Sequence, residues 1–227
     1  MSLKEIRMNA LKEDNDLFSY PFRYVSTIIT SILIKTEITP IQVTIFHIFL
    51  GIISAFLFSI GLYTYTIIAS ALLIFVFILD CVDGEIARYK KNGSELGIWL
   101  DHVSDYIILF MIIASITLGT FKANSESITL SLGLISLMIT AIIGVISISR
   151  MGEKVKRNKA VKLPFKFKFS KRLHLGVFTP AILFLTIGPL TKQINIMFGI
   201  YIFIMFFAMI KVFIHRWNFV KKESEQA

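Results

Sequence analysis

The sequence predicts an all-α integral membrane protein: six transmembrane helices preceded by an amphipathic interfacial helix. Three observations carry this. First, the 227 residues are 55% hydrophobic and the mean hydropathy is +0.73, far above ordinary soluble composition. Second, the apolar residues come in uninterrupted runs of about 20, the length that carries a helix across a ~30 Å hydrocarbon layer. The runs are continuous rather than alternating, so helices rather than a barrel satisfy the backbone in lipid. Third, Lys and Arg collect between alternate runs, as the positive-inside rule requires.

Residues 1–38 are read as a cytoplasmic segment. Its first 17 residues carry seven charges and no apolar stretch, so no cleavable signal is expected. Phe18, Phe22, Val25, Ile29, Ile32 and Leu33 then recur at helical spacing, interrupted by Ser26, Thr27, Thr30 and Ser31. That stretch is too short and too polar to span, and predicts a helix lying on the membrane surface. Residues 39–215 form the membrane domain, with spans at about 40–61, 64–87, 97–120, 127–149, 173–190 and 193–214. Short polar turns close the outer ends at Gly61–Thr64, Lys122–Glu126 and Pro189–Lys192. Residues 216–227 are a cytoplasmic tail. Of the 24 Lys and Arg, 22 fall on one side of this arrangement and only Lys122 and Lys192 on the other. Both termini are therefore expected in the cytoplasm, most simply at the cell membrane. The net charge of +9 is then a topology signal and a means of holding anionic lipids, not a nucleic-acid footprint. A single cysteine, Cys81, excludes an intramolecular disulfide and a cysteine-rich metal site.

Four carboxylates break the apolar pattern. Asp80 and Asp83 are spaced i, i+3 near the end of span two, and Asp101 and Asp105 i, i+4 near the start of span three. Each pair shares one helix face. At 1.5 Å per residue, Asp83 lies about 7 Å and Asp80 about 12 Å inside Arg88. Charges at such depth cost about 3 kcal/mol or more and mark functional sites. If the two helices are antiparallel neighbours, the faces meet as a cluster of four acids. Such a cluster takes up protons or holds cations, and an all-oxygen set suits Mg²⁺ or Mn²⁺. Two such ions can clamp a pyrophosphate through an in-line displacement. Gly84 and Gly97 bare the helix surface for a phosphate to approach, Ala87 extends the small-residue face, and Arg88 offers a bidentate phosphate donor at the water boundary.

Residues 80–105 thus run D-x2-D-G-x2-A-R-x8-G-x3-D-x3-D. The stretch resembles the signature of the CDP-alcohol phosphatidyltransferase family, with all eight fixed positions matched. Composition alone would produce such a match about once in ten million chains. The resemblance implies transfer of a phosphoalcohol group from a CDP-alcohol, such as CDP-diacylglycerol, to an acceptor alcohol with release of CMP. It implies two Mg²⁺ or Mn²⁺ ions on Asp80, Asp83, Asp101 and Asp105, with Asp105 also the general base. It implies donor contacts from Gly84, Arg88 and Ser94, and a homodimer. Thr39-Pro40-Ile41-Gln42-Val43-Thr44 resembles a second family feature. Ile41 stands where Asn or Asp is usual, so a side-chain contact to the cytidine falls to Gln42 or to backbone groups. Ile41, Gln42, Val43 and Thr44 are expected along the donor, with Ala87 and Gly97. Family members that use polyol-phosphate acceptors carry basic residues where Arg150, Lys171 and Arg172 stand here. Ordinary positive-inside charge explains those three equally well.

The remaining suspects have plainer explanations. His102 projects about 100° from Asp101 and is expected to pack. His47 stands alone in span one. His174 begins span five among basic residues, where it either touches acceptor phosphate or simply joins them. Cys81 is a small packing residue, Trp99 and Trp217 belong to interface belts, and the Phe residues of span six face lipid. Glu85 and Glu95 are expected in water. Lys166 and Lys168 alternate with Phe165, Phe167 and Phe169, a pattern that suits the membrane surface as well as substrate. The alternative function is a cation or proton transporter built on the Asp cluster. It does not explain Gly84, Ala87, Arg88 and Gly97 at their spacings. A catalytically silent scaffold is disfavoured because every expected position is filled.

Overall fold

The computed structural model describes residues 5–7, 19–91, 93–155, 166–168, 174–176 and 178–224. Residues 5–7 are helical, and seven longer helices follow among the described residues: α1 (Tyr20–Leu33), α2 (Pro40–Ser59), α3 (Tyr63–Lys90), α4 (Glu95–Asn124), α5 (Ser127–Val155), α6 (Phe178–Thr191) and α7 (Ile194–Ser224). Between α5 and α6 lie two short strands, β1 (Lys166–Lys168) and β2 (His174–Gly176), paired antiparallel with Phe167 opposite Leu175.

Five helices, α2, α3, α4, α5 and α7, are long and apolar enough to cross a membrane. The expected fifth span at 173–190 is not one of them. Its N-terminal part is β2, and α6 has 14 residues, a rise of about 21 Å against the ~30 Å of a hydrocarbon layer. The strand pair also departs from an all-helical chain. The alternation Lys166-Phe167-Lys168 has the period of two that a strand presents. His174 accordingly lies in β2 rather than at a helix start. At the other end, α7 runs past residue 215 to Ser224, with no Gly or Pro to stop it.

Caps set the helix starts next to the acidic cluster. Thr39 and Gln42 form a reciprocal capping box at α2, with Pro40 in the first turn. The Ser94 hydroxyl accepts from Gly97 N at α4. At the far end Gly61 adopts φ +80°. A Cβ on Gly119 would collide with the Phe58 carbonyl, so the α2–α3 turn lies backbone to backbone on α4.

The core gathers where α2 to α7 meet, around Ile112, Ile113, Ile116, Ile143, Leu185, Phe198, Tyr201 and Met205. A smaller cluster of Val43, Leu79, Val82 and Ile86 joins α2 to α3 near the aspartates. Outward-facing residues are just as apolar: Phe49, Phe56, Met138, Val145, Phe203, Phe213 and Trp217 are all exposed. An apolar rim on every spanning helix is what lipid requires. Among the phenylalanines of α7 whose burial is described, Phe198 alone is buried. α2 packs along both α3 and α4. Among the described residues α3 and α4 make no extended backbone contact of their own, although a short turn joins them. Their acidic faces nonetheless meet as the sequence suggested, with ligand oxygens of Asp80 from α3 and of Asp101 and Asp105 from α4 within 4.8 Å of one another.

α1 packs on α3 with an unusual polarity. Ser26, Thr27 and Thr30 are fully buried, whereas Val25, Ile28 and Ile32 face outward. The buried stripe meets Glu85, which is 5% exposed. Its carboxylate accepts from Ser26 Oγ at 2.7 Å, Thr30 Oγ1 at 2.6 Å and Arg23 Nη1 at 2.9 Å. Glu85 is therefore not a solvated residue, as the sequence suggested. It is the polar anchor of α1.

Candidate active site

All four signature aspartates stand on two rigid helices, α3 and α4. Ligand oxygens of Asp80, Asp101 and Asp105 lie within 4.8 Å of one another. A second trio, Asp80 and Asp83 with His47 of α2, meets the same limit. Asp80 belongs to both. Asp83 is buried, at 4% exposure, and its Oδ2 accepts from Thr44 Oγ1 at 2.7 Å. The Ser104 hydroxyl donates to the Asp101 carbonyl. Asp101 Oδ1 is buried without a hydrogen-bond partner.

These residues fit divalent ions. Four carboxylates packed this closely need positive charge between them. An oxygen-rich set divided into two trios that share one carboxylate offers positions for two hard cations. The unpartnered Asp101 oxygen is an acceptor that such an ion satisfies.

A cavity of about 340 Å³ opens beside the cluster, lined by Thr39, Pro40, Ile41, Thr44, Asp83, Gly84, Ala87, Gly93, Ser94, Gly97, Ile98 and Asp101. Six of the expected donor contacts, Ile41, Thr44, Gly84, Ala87, Ser94 and Gly97, are therefore on one wall-to-wall surface. Arg88 is exposed and its guanidinium lies over Gly84, with Nη1 3.3 Å from where a Cβ would stand. A Cβ on Gly97 would sit 3.1 Å from Ser94 Oγ and 3.6 Å from Ile41 Cγ1. The glycines thus keep open the floor of the cavity.

Two expected donor contacts lie elsewhere. Val43 is buried in the small core with Leu79, Val82 and Ile86, because it falls on the face of α2 turned toward α3. Gln42 is exposed, and its Oε1 accepts from Thr39 N at 2.9 Å, so its side chain is held by the cap of its own helix. Arg150 lies in α5, but its side chain, like all of Lys171 and Arg172, is outside the described residues. Cys81 is buried. His102 is buried against Tyr106, edge to face at 5.4 Å, as a packed histidine should be. Glu95, Trp99 and Trp217 are exposed.

Two residues that sequence reasoning passed over belong here. His47, set aside as solitary, lies one helical turn beyond Thr44 and against Asp83; its partners come from another helix. Glu85 was legible in principle: Arg23, Ser26 and Thr30 make a polar stripe at i, i+3, i+7 on an otherwise apolar helix, which demands a polar counterpart.

Carboxylates grouped for divalent ions, inside a polytopic helical fold and beside a glycine-floored cavity, define a membrane enzyme acting on a phosphorylated substrate. The chain belongs to the CDP-alcohol phosphatidyltransferase family, whose sequence profile matches residues 37–220. It is a membrane-embedded transferase of phospholipid biosynthesis. Two solved structures of phosphatidylinositol phosphate synthase PgsA1 from Mycobacterium tuberculosis share its fold at a TM-score of 0.62 and 16% identity. The one with CDP-DAG bound is matched over 84% of this chain and 92% of its own. The one in complex with manganese and citrate is matched over 85% and 88%. At that identity the likeness is one of fold. No curated protein matches the chain.

Proposed function

We propose that this enzyme transfers a phosphatidyl-type group from CDP-diacylglycerol, or another CDP-alcohol, to an acceptor alcohol with release of CMP. The observation that carries this is the placement of the two carboxylate trios at the edge of the cavity lined by Gly84, Ala87 and Gly97. The relative solved with CDP-DAG bound and the one with manganese support the same donor class and the same kind of ion.

Asp80, Asp83, Asp101 and Asp105 would hold two Mg²⁺ or Mn²⁺ ions. When bound, these supply neutralisation of the pyrophosphate charge during in-line displacement. Ile41, Thr44, Ser94 and Gly97 bound the donor side of the cavity, and the bare surface at Gly84 and Ala87 admits the pyrophosphate. Arg88 pairs with a phosphate oxygen at the cavity mouth. Asp105 accepts the proton of the acceptor hydroxyl. The resulting oxygen forms a bond to the β-phosphorus as the bridging P–O bond breaks, so that CMP carries away the bonding electrons and the alcohol portion enters a new phosphodiester.

The acceptor is a phosphorylated polyol such as glycerol phosphate or inositol phosphate, held by basic residues including Arg150, Lys171 and Arg172. Ten Lys and Arg between residues 150 and 172 support an anionic acceptor. Both termini and the active site face the cytoplasm, α1 lies at the membrane surface, and the family resemblance carries a homodimer.

The deciding experiment measures CMP release by purified protein with CDP-diacylglycerol and Mg²⁺ or Mn²⁺, across a panel of acceptor alcohols, with Asp105→Asn alongside. Metal-dependent release with one acceptor, slowed by about 10²–10⁴-fold in the variant, is the expected result. Donor binding without turnover on any acceptor would redirect the search to soluble CDP-polyols. Failure to bind either metal or cytidine nucleotide would overturn the reading.

A further inference from the structure

His47 is 1% exposed, and neither Nδ1 nor Nε2 has a hydrogen-bond partner. A buried imidazole with both nitrogens unsatisfied is costly. Its polar surroundings consist of the acidic cluster: Nδ1 stands 3.5 Å from Asp83 Oδ2. A ligand nitrogen of His47 lies within 4.8 Å of carboxylate oxygens from both Asp80 and Asp83. The ring lines a cavity of about 40 Å³ with Leu73, Val76, Phe77 and Ile108, and with Asp80 and Asp105.

We propose that His47 is a direct metal ligand, completing a mixed nitrogen–oxygen position with Asp80 and Asp83. The position formed by Asp80, Asp101 and Asp105 is all-oxygen. This inference rests on the two-ion reading of the site and deepens it. The geometry suits it. Two ligands about 2.1 Å from one ion stand roughly 3.0–3.5 Å apart at angles between a right angle and the tetrahedral value. That span includes the observed Nδ1–Oδ2 separation. Thr44 donates to the same Asp83 oxygen, which holds that carboxylate in place as outer hydrogen bonds to metal ligands do. The chemistry then separates the two positions. Imidazole nitrogen suits a transition ion, whereas Mg²⁺ favours oxygen alone. The His47 position therefore selects Mn²⁺ over Mg²⁺, and the all-oxygen position accepts either.

The test is pulsed EPR on full-length, tag-free protein in detergent loaded with Mn²⁺, read for nitrogen coupling to the bound ion. Wild type is expected to show modulation from a directly bound ¹⁴N, replaced by the ¹⁵N pattern when histidine is ¹⁵N-labelled. His47→Gln is expected to lose that modulation. Even outer partners of metal ligands are worth about 10–100-fold in affinity, so the variant should bind Mn²⁺ at least about tenfold more weakly, with a smaller change for Mg²⁺. The wild-type spectrum decides the matter even if the variant folds poorly. Bound Mn²⁺ without nitrogen coupling overturns the role of His47 and leaves the carboxylate site standing. No bound Mn²⁺ in wild type overturns both.

Discussion

Asp105 and Thr44 illustrate how differently two residues can serve one centre. Asp105 stands in the all-oxygen trio, where a carboxylate can receive the acceptor's proton. Asp105→Asn is expected to lower kcat by about 10²–10⁴-fold, the usual worth of a positioned base, with donor binding retained. Single-turnover CMP release beside a donor-binding assay checks this. Thr44 lines the cavity and also holds Asp83, to whose Oδ2 it donates at 2.7 Å. Thr44→Val removes that hydrogen bond without a large change of volume and is expected to weaken metal binding about 10–100-fold. Thr44→Ser should restore most of it, and metal titration of the three proteins measures both effects. The glycines are set by space rather than by torsion. Gly84 and Gly97 face side chains close to where a Cβ would stand, in a cavity whose use depends on an uncluttered wall.

At the scale of elements, α1 is a polar-faced helix fastened by one buried acid. Arg23 and Glu85 have side chains 11% and 3% exposed, and Arg23 Nη1 also donates to the Cys81 carbonyl at 3.2 Å. This ties α1 to the turn of α3 that carries Asp80 and Asp83. Removing one partner of such a pair strands the other charge. Glu85→Ala is therefore expected to destabilise the protein by about 3–5 kcal/mol, read as a lowered Tm in detergent. Replacing both residues with methionine should recover much of the loss, which separates a stranded charge from lost packing. The loop between α1 and α2 is clamped as well: Lys90 Nζ donates to the carbonyls of Thr36 and Ile38 at 2.6 and 2.9 Å. The element that differs from its expected span at 173–190 is α6. Its apolar composition suggested a span, but His174–Gly176 form the second strand of a pair and the described helix has 14 residues.

Considered whole, the molecule carries apolar residues both inside and around the rim and confines its buried charges to the acidic cluster and the Arg23–Glu85 pair among the described residues. The proposed orientation rests on the Lys and Arg distribution and is open to direct test. In a Cys81→Ser background, Lys122→Cys should react with an impermeant thiol reagent added outside intact cells. Lys221→Cys should react only after permeabilisation. Both positions are exposed, so the reverse pattern would invert the topology. The far end is held by backbone contact rather than by side chains. Gly119→Val, with its side chain driven into the Phe58 carbonyl, is expected to pry the α2–α3 turn from α4 and to lower Tm while leaving the acidic residues intact.

The sequence by itself determined the class of helices, the acidic signature and most of the cavity wall. Apolar run length, i, i+3 and i, i+4 spacing and small residues are local properties that survive without any tertiary contact. It therefore placed Asp80, Asp83, Asp101 and Asp105 on two helix faces beside the small residues Gly84, Ala87 and Gly97, and the family resemblance of the signature implied that Ile41, Thr44 and Ser94 join them. Tertiary structure alone decided what depends on a third helix. α2 packs on both α3 and α4 and carries His47 to Asp83. α1 turns its Ser and Thr stripe inward and buries Glu85. Val43 goes to the core rather than the cavity because the face of α2 it occupies meets α3. Spacing along one chain tells which residues share a face, but which face meets which is settled only by packing, and that is where the partners of His47 and Glu85 came from.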